Sequence, residues 1–195
     1  MRVTYFDNNA TTAVSPEVLA AMLPYFGDMY GNPSSMYTFG GQVAGAVENA
    51  REQVANLLGA DPSEILFTSS GSESDNTAFW SALQSQPDKK HIVTTRVEHP
   101  AVLNVCKYWE RQGYRVTYLG VDNLGKLDPE EFKNALEDTT SLASVMFANN
   151  EVGNIYPIQQ LAEIAKERGV LFHTDAVQAV GKTPIDLTHL SVDML

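Results

Sequence analysis

The chain has 195 residues, 44% of them hydrophobic and 19% charged, a balance that builds a folded domain with a buried core and excludes wholesale disorder. Thirteen Lys and Arg against 24 Asp and Glu leave a net charge of −11, which argues against nucleic acid as a partner because no basic stripe exists to meet phosphates. The start Met1-Arg2-Val3-Thr4-Tyr5-Phe6-Asp7 carries no apolar leader core, and the sequence has no run of 18 apolar residues, so the expectation is a cytoplasmic protein without a membrane partner.

Residues 1–15, with the polar turn Asp7-Asn8-Asn9-Ala10-Thr11-Thr12, read as an arm leading into one domain over 16–195. Helices are expected at about 17–25 and 41–58, separated by the turn-forming Gly31-Asn32-Pro33-Ser34-Ser35 and closed by Gly59. From there short β-rich runs alternate with helical ones. Strands are expected at Ile65–Thr68, Ile92–Thr95, Val116–Leu119, Leu142–Ala148 and Val170–His173, and helices at about 74–85, 100–112, 129–137 and 158–168. Asp128-Pro129-Glu130-Glu131 places a proline in the first turn and acids at the positive helix end, while Gly113 and Gly169 close two further helices. The strand runs are apolar on successive residues, as strands covered on both faces are. The fold class is therefore α/β, a mostly parallel sheet with helices on both faces. Ser191-Val192-Asp193-Met194-Leu195 reads as the opening of another strand, so the sheet is expected to be incomplete at its C-terminal end.

Open α/β sheets bind ligands outside the carboxyl ends of their strands, which directs attention to the residues just past each run. After Thr68 comes Ser69-Ser70-Gly71-Ser72-Glu73-Ser74-Asp75-Asn76. Backbone amides and hydroxyls at this helix start suit a phosphate, or an ordinary cap with Ser72 and Asp75 as a capping box. After Thr95 comes Glu98-His99-Pro100, where His99 can stack on a planar ligand and move a proton or simply lead into the helix. Asn149 and Asn150 come after Ala148 and suit either a ligand oxygen or a turn. Asp175, with Gln178 beyond it, comes after Thr174 and suits either a protonated ring nitrogen or a helix cap. Together an anion cradle, a ring-sized histidine, an amide pair and a carboxylate on one sheet edge fit a phosphorylated, aromatic, nitrogen-containing cofactor.

The motifs Asp7–Thr12, Gly31–Ser35, Phe39-Gly40, Glu98-His99, Asn149-Asn150-Glu151 and His173–Lys182 resemble the pyridoxal-phosphate-dependent cysteine desulfurases, and in detail their nitrogen-fixation branch. The resemblance runs through the whole chain and implies an aminotransferase-like large domain, with the arm belonging to a small domain. It implies roles for Gly71 and Ser72 at the phosphate, where Ser72 replaces a common Thr, and for His99 stacked on the ring and assisting proton transfer. It implies Asn150 near the ring hydroxyl and substrate, Asp175 at the pyridine nitrogen, and Gln178 at the ring hydroxyl. It further implies L-cysteine as substrate, L-alanine and an enzyme persulfide as products, an iron–sulfur scaffold protein as sulfur acceptor, and a homodimer.

Two residues that this resemblance calls for have no counterpart here. The Schiff-base lysine lies in a Ser-x-His-Lys context that no lysine of this sequence shares, Lys182 included. The persulfide cysteine lies on a loop, whereas Cys106 falls in an expected helix and reads as a small packed hydrophobe. Tyr37 also replaces a common family histidine. The chain is accordingly expected to be an N-terminal fragment. Selenocysteine lyase, aminotransferase and a non-catalytic truncated binding module stay open as alternatives.

Overall fold

The computed structural model describes residues 4–195; the first three residues of the expected arm lie outside the described residues. The chain divides into two compact units, the first ending at Ile65 and the second running from Leu66 to Leu195.

In the first unit α1 (Pro16–Met22) starts where the Ser15 hydroxyl accepts from the Val18 amide at 3.3 Å, and runs into a 3-10 stretch at Leu23–Phe26. Helix α2 (Thr38–Leu58) ends at Gly59, whose φ of 70° is the left-handed value that a side chain resists. Gly40 in its first turn meets the Asn32–Ser35 turn so closely that a Cβ there would sit 2.5 Å from the Asn32 carbonyl oxygen.

The second unit alternates α3 (Gly71–Ser85), β1 (His91–Thr95), α4 (Pro100–Arg111), β2 (Arg115–Leu119), α5 (Pro129–Ala135), β3 (Thr140–Ser144), α6 (Ile158–Glu167) and β4 (Leu171–His173). The strands form one parallel sheet in the order β2-β1-β3-β4. Successive strand residues go to opposite faces. Ile92, Leu142 and Leu171 pack with Phe79, Leu83, Val102, Cys106 and Trp109 of α3 and α4. Val93, Ala143 and Phe172 pack on the other face with Phe132, Ile158, Leu161 and Ala165 of α5 and α6. The expectation of a parallel sheet covered on both sides therefore holds.

Two strand expectations change. Ile65–Thr68 is not a strand: no strand among the described residues pairs with it, Leu66 and Phe67 are exposed, and a ladder requires a neighbour. The run from Leu142 ends its ladder at Ser144 and then tracks the exit of β4, with the Val145 amide donating to the His173 carbonyl and the Phe147 amide to that of Asp175. Met194 makes a single parallel bridge to His173, so the last residues lie beside β4 without forming a strand of their own.

Candidate functional site

The strand order reverses between β1 and β3, which makes their carboxyl ends the switch point at which open α/β sheets bind ligands. Three loops meet around it: Arg96–His99 after β1, Val145–Val152 after β3, and Thr174–Gln178 after β4. The start of α3 adjoins the third of these, because a Cβ on Gly71 would approach Val177 Cγ2 to 3.2 Å.

At α3 the cap is Ser70, whose hydroxyl accepts from the Glu73 amide at 3.3 Å. Ser72 is therefore the second residue of the helix, and the expected Ser72–Asp75 capping box does not form; Asp75 points into the core, 4% exposed. Glu73 turns back to Ser69, accepting from its amide at 2.7 Å and its hydroxyl at 2.6 Å. The Gly71 and Ser72 amides remain as first-turn donors without a partner among the described residues. They face outward at the positive end of the helix, the arrangement an anion seeks.

His99 is the N-cap of α4, and its Nδ1 accepts from the Ala101 amide at 3.2 Å. That bond fixes the tautomer: in the neutral ring the proton sits on Nε2, which stays available on an exposed side chain. Its neighbour Glu98 is 5% exposed. Glu98 Oε1 accepts from the Thr95 hydroxyl at 2.7 Å and from the Met146 amide at 3.0 Å, while Oε2 is buried with no hydrogen-bond partner. Burial pushes this carboxyl up to about 8.

Asp175 lies at the mouth of β4, 9% exposed, with Oδ1 accepting from the Val177 amide at 3.0 Å. Behind it Asp75 Oδ1 stands 3.6 Å from His173 Nε2, and His173 Nδ1 shares a 2.9 Å hydrogen bond with the Ser144 hydroxyl. Burial, reinforced by the charge of Asp175, pushes Asp75 up to about 7, and burial pushes His173 down to about 4. The 3.6 Å contact thus joins two groups biased toward their neutral forms, not a charged pair. Asp75, Glu98 and Asp175 form a buried acidic cluster, and no lysine or arginine among the described residues forms a salt bridge with any of them.

Asn150 is half-buried on the turn after β3, and its amide approaches Glu151 Oε1 at 3.5 Å. Gln178 is half-buried as well and accepts from the ammonium of Lys182, an exposed residue one helical turn away. Cys106 is wholly buried in the α3–α4 cluster. The loops thus gather Gly71, His99 and Asp175 around one sheet edge, through contacts of Gly71 with Val177, Phe147 with Asp175, and Glu98 with Met146.

The structure adds Asp75, Glu98 and His173 to the residues weighed as ligand contacts in the sequence, and turns Asn149, weighed there beside Asn150, to the loop backbone. A signal for Asp75 existed: it shares the spacing i, i+4, i+7, i+8 with Phe79, Ala82 and Leu83, so it is a carboxylate on a buried stripe.

The aminotransferase class-V family model matches residues 4–195. The chain is 59% identical over 195 residues to a cysteine desulfurase of Trichormus azollae, covering all of this chain and 49% of that protein. It is 54% identical to the cysteine desulfurase NifS of Azotobacter vinelandii, again over 100% of this chain and 49% of the relative. Among solved structures, a NifS-like protein superposes with a TM-score of 0.94 at 43% identity, covering 99% of this chain and 53% of the other. SspA in complex with cysteine superposes with a TM-score of 0.94 at 37% identity, covering 98% and 55%. The chain spans about half the length of the relatives it matches.

Proposed function

The chain belongs to the aminotransferase class-V family, and from that premise we propose that the protein containing it is a cysteine desulfurase that supplies sulfur for iron–sulfur cluster assembly. Members of this family depend on pyridoxal phosphate. The observation that carries the reading is the buried Asp175 carboxylate at the carboxyl edge of the sheet, which forms no salt bridge with a lysine or arginine among the described residues. A protonated pyridine nitrogen supplies the missing positive charge, the open Gly71 and Ser72 amides suit the phosphate, and the exposed His99 ring suits a planar partner. The residues fit the group.

When bound, pyridoxal phosphate supplies an electron sink for the substrate's α-carbon. The rest falls to the protein. Asp175 accepts the ring N–H and holds the nitrogen protonated. Gly71 and Ser72 anchor the phosphate, with the helix start lowering the cost of its charge. His99, with Nδ1 committed to its cap, gives and takes protons at Nε2. Asn150 and Gln178 donate to oxygens of ring and substrate. The overall change is L-cysteine plus an acceptor thiol giving L-alanine plus a persulfide on that acceptor, in which sulfur leaves the β-carbon as a proton takes its place. Cys106 is not the acceptor, since burial pushes its thiol up to about 12.

The similarity to NifS of Azotobacter vinelandii supports a nitrogen-fixation setting, and the expected homodimer and cytoplasmic location belong to the same proposal. Incubating the intact native protein with L-cysteine, pyridoxal phosphate and a thiol should release alanine and reducible sulfur in equal amounts. A keto acid in place of alanine makes it an aminotransferase, and turnover of selenocysteine alone makes it a selenocysteine lyase; either result overturns the reading.

A further inference from the structure

The loops bearing His99 and Asn150 are tied together twice, in opposite senses. From the β1 side, Glu98 Oε1 reaches across to the Met146 amide at 3.0 Å while holding the Thr95 hydroxyl of its own loop at 2.7 Å. From the β3 side, Asn149 Nδ2 reaches back to the Val97 carbonyl at 3.1 Å. Asn149 Oδ1 meanwhile accepts from the Glu151 and Val152 amides at 2.9 and 3.0 Å, which shapes the turn on which Asn150 sits. Both side chains are buried, at 5% and 7% exposure. Each immediately precedes a candidate site residue, so a displacement of either passes to the next Cα, about 3.8 Å along the chain.

We propose that Glu98 and Asn149 form a reciprocal clasp that sets the spacing of His99 and Asn150, making both of them positioning residues of the site. Chemistry distinguishes this from ordinary stabilisation. A loop brace that only stabilised would tolerate any change that left the fold intact, whereas a clasp that sets a spacing transmits its loss to His99. Glutamine at position 98 keeps the Oε1 acceptor and so keeps the clasp. Aspartate at position 149 keeps the Oδ1 acceptor and the turn, but sets a second oxygen against the Val97 carbonyl and so breaks the crossing arm, together with the 3.4 Å bond from Nδ2 to Met146 Sδ.

The inference rests on the reading of His99 and Asn150 as cofactor contacts, and the test separates the two. In the intact native protein, E98Q, E98A, N149D and the pair E98A/N149D are compared by pyridoxal phosphate titration, by the His99 ring signals in 1H–15N spectra of the cofactor-free protein, and by melting. E98Q should match the native protein in cofactor affinity and in the His99 signals. E98A and N149D should each weaken cofactor binding about tenfold and shift the His99 signals, and the pair should be little worse than one alone, as members of one unit behave. Native His99 signals and native cofactor affinity in N149D overturn the clasp, whether or not melting falls and whether or not E98A folds. Failure of the native protein to bind pyridoxal phosphate overturns the proposed function, and the His99 signals then decide the clasp by themselves.

Discussion

Cys106 packs at 0% exposure among Val102, Val105 and Leu142, and its thiol is pushed up to about 12, chiefly by burial. Its thiolate fraction at neutral pH is lower than that of a free cysteine by on the order of a thousandfold. Iodoacetamide labelling and peptide mapping should find Cys106 modified only after denaturation, and Cys106→Ala should leave alanine production unchanged; a well-folded but inactive C106A contradicts this account of the sulfur path. Asp175 behaves oppositely. Asp175→Ala removes the least buried member of the acidic cluster and should weaken pyridoxal phosphate binding by about tenfold or more in a direct titration, with near-complete loss of alanine production. His99 and Asp175 are legible in the sequence because each comes just after an apolar run, the place where α/β sheets present their chemistry. Asp75 carries two signals that disagree: three residues after Ser72 it imitates a cap partner, while its spacing from Phe79, Ala82 and Leu83 marks a buried stripe, and the packing of α3 decides for the stripe.

The start of α3 sorts capping from ligand binding. Ser70 caps the helix, so Ser70→Ala should cost about 1 kcal/mol in a urea titration of the cofactor-free protein. Ser72, exposed in the first turn, should cost within about 0.5 kcal/mol when changed to Ala, while weakening phosphate-dependent cofactor binding. Equal stability losses at the two positions would contradict the observed cap. Most elements are legible because their signals are local: β-rich runs, a proline in a first turn, and glycines at Gly59, Gly113 and Gly169 that take φ of 70°, 89° and 62°. Ile65–Thr68 is not, since its apolar run has strand composition and no strand beside it among the described residues. The run beyond Ser144 reads as too long a strand for a related reason: Val145 and Phe147 still bond toward β4's exit, yet the regular ladder has ended.

For the molecule as a whole, the buried titratable groups set the direction of its pH response. Asp75 and Glu98 rise from ordinary values of 3.8 and 4.5 to about 7 and about 8. The folded state therefore keeps protons that the unfolded state has released, and stability falls as pH climbs through that interval. His173 falls from 6.5 to about 4 and acts in the opposite sense, adding stability as pH rises to 6.5 and nothing further above it. Between pH 6.5 and 8 the acids thus act unopposed by His173, Asp75 up to about pH 7 and Glu98 throughout, at up to about 1.4 kcal/mol per pH unit for each group. Urea midpoints of the cofactor-free protein should drop across that window, and Glu98→Gln should flatten the upper part; a rising midpoint refutes the sign. The sequence by itself determined the α/β alternation, the two-faced burial of the strands, the acidic balance and the placing of His99, Asp175 and the Gly71 turn at strand or helix ends, because each is written in composition or in residues adjacent along the chain. Only the tertiary structure decided the strand order, the inward turn of Asp75, the acidic cluster and the crossing of Glu98 with Asn149. Those depend on which distant segments lie side by side, and 48 residues separate Glu98 from Met146.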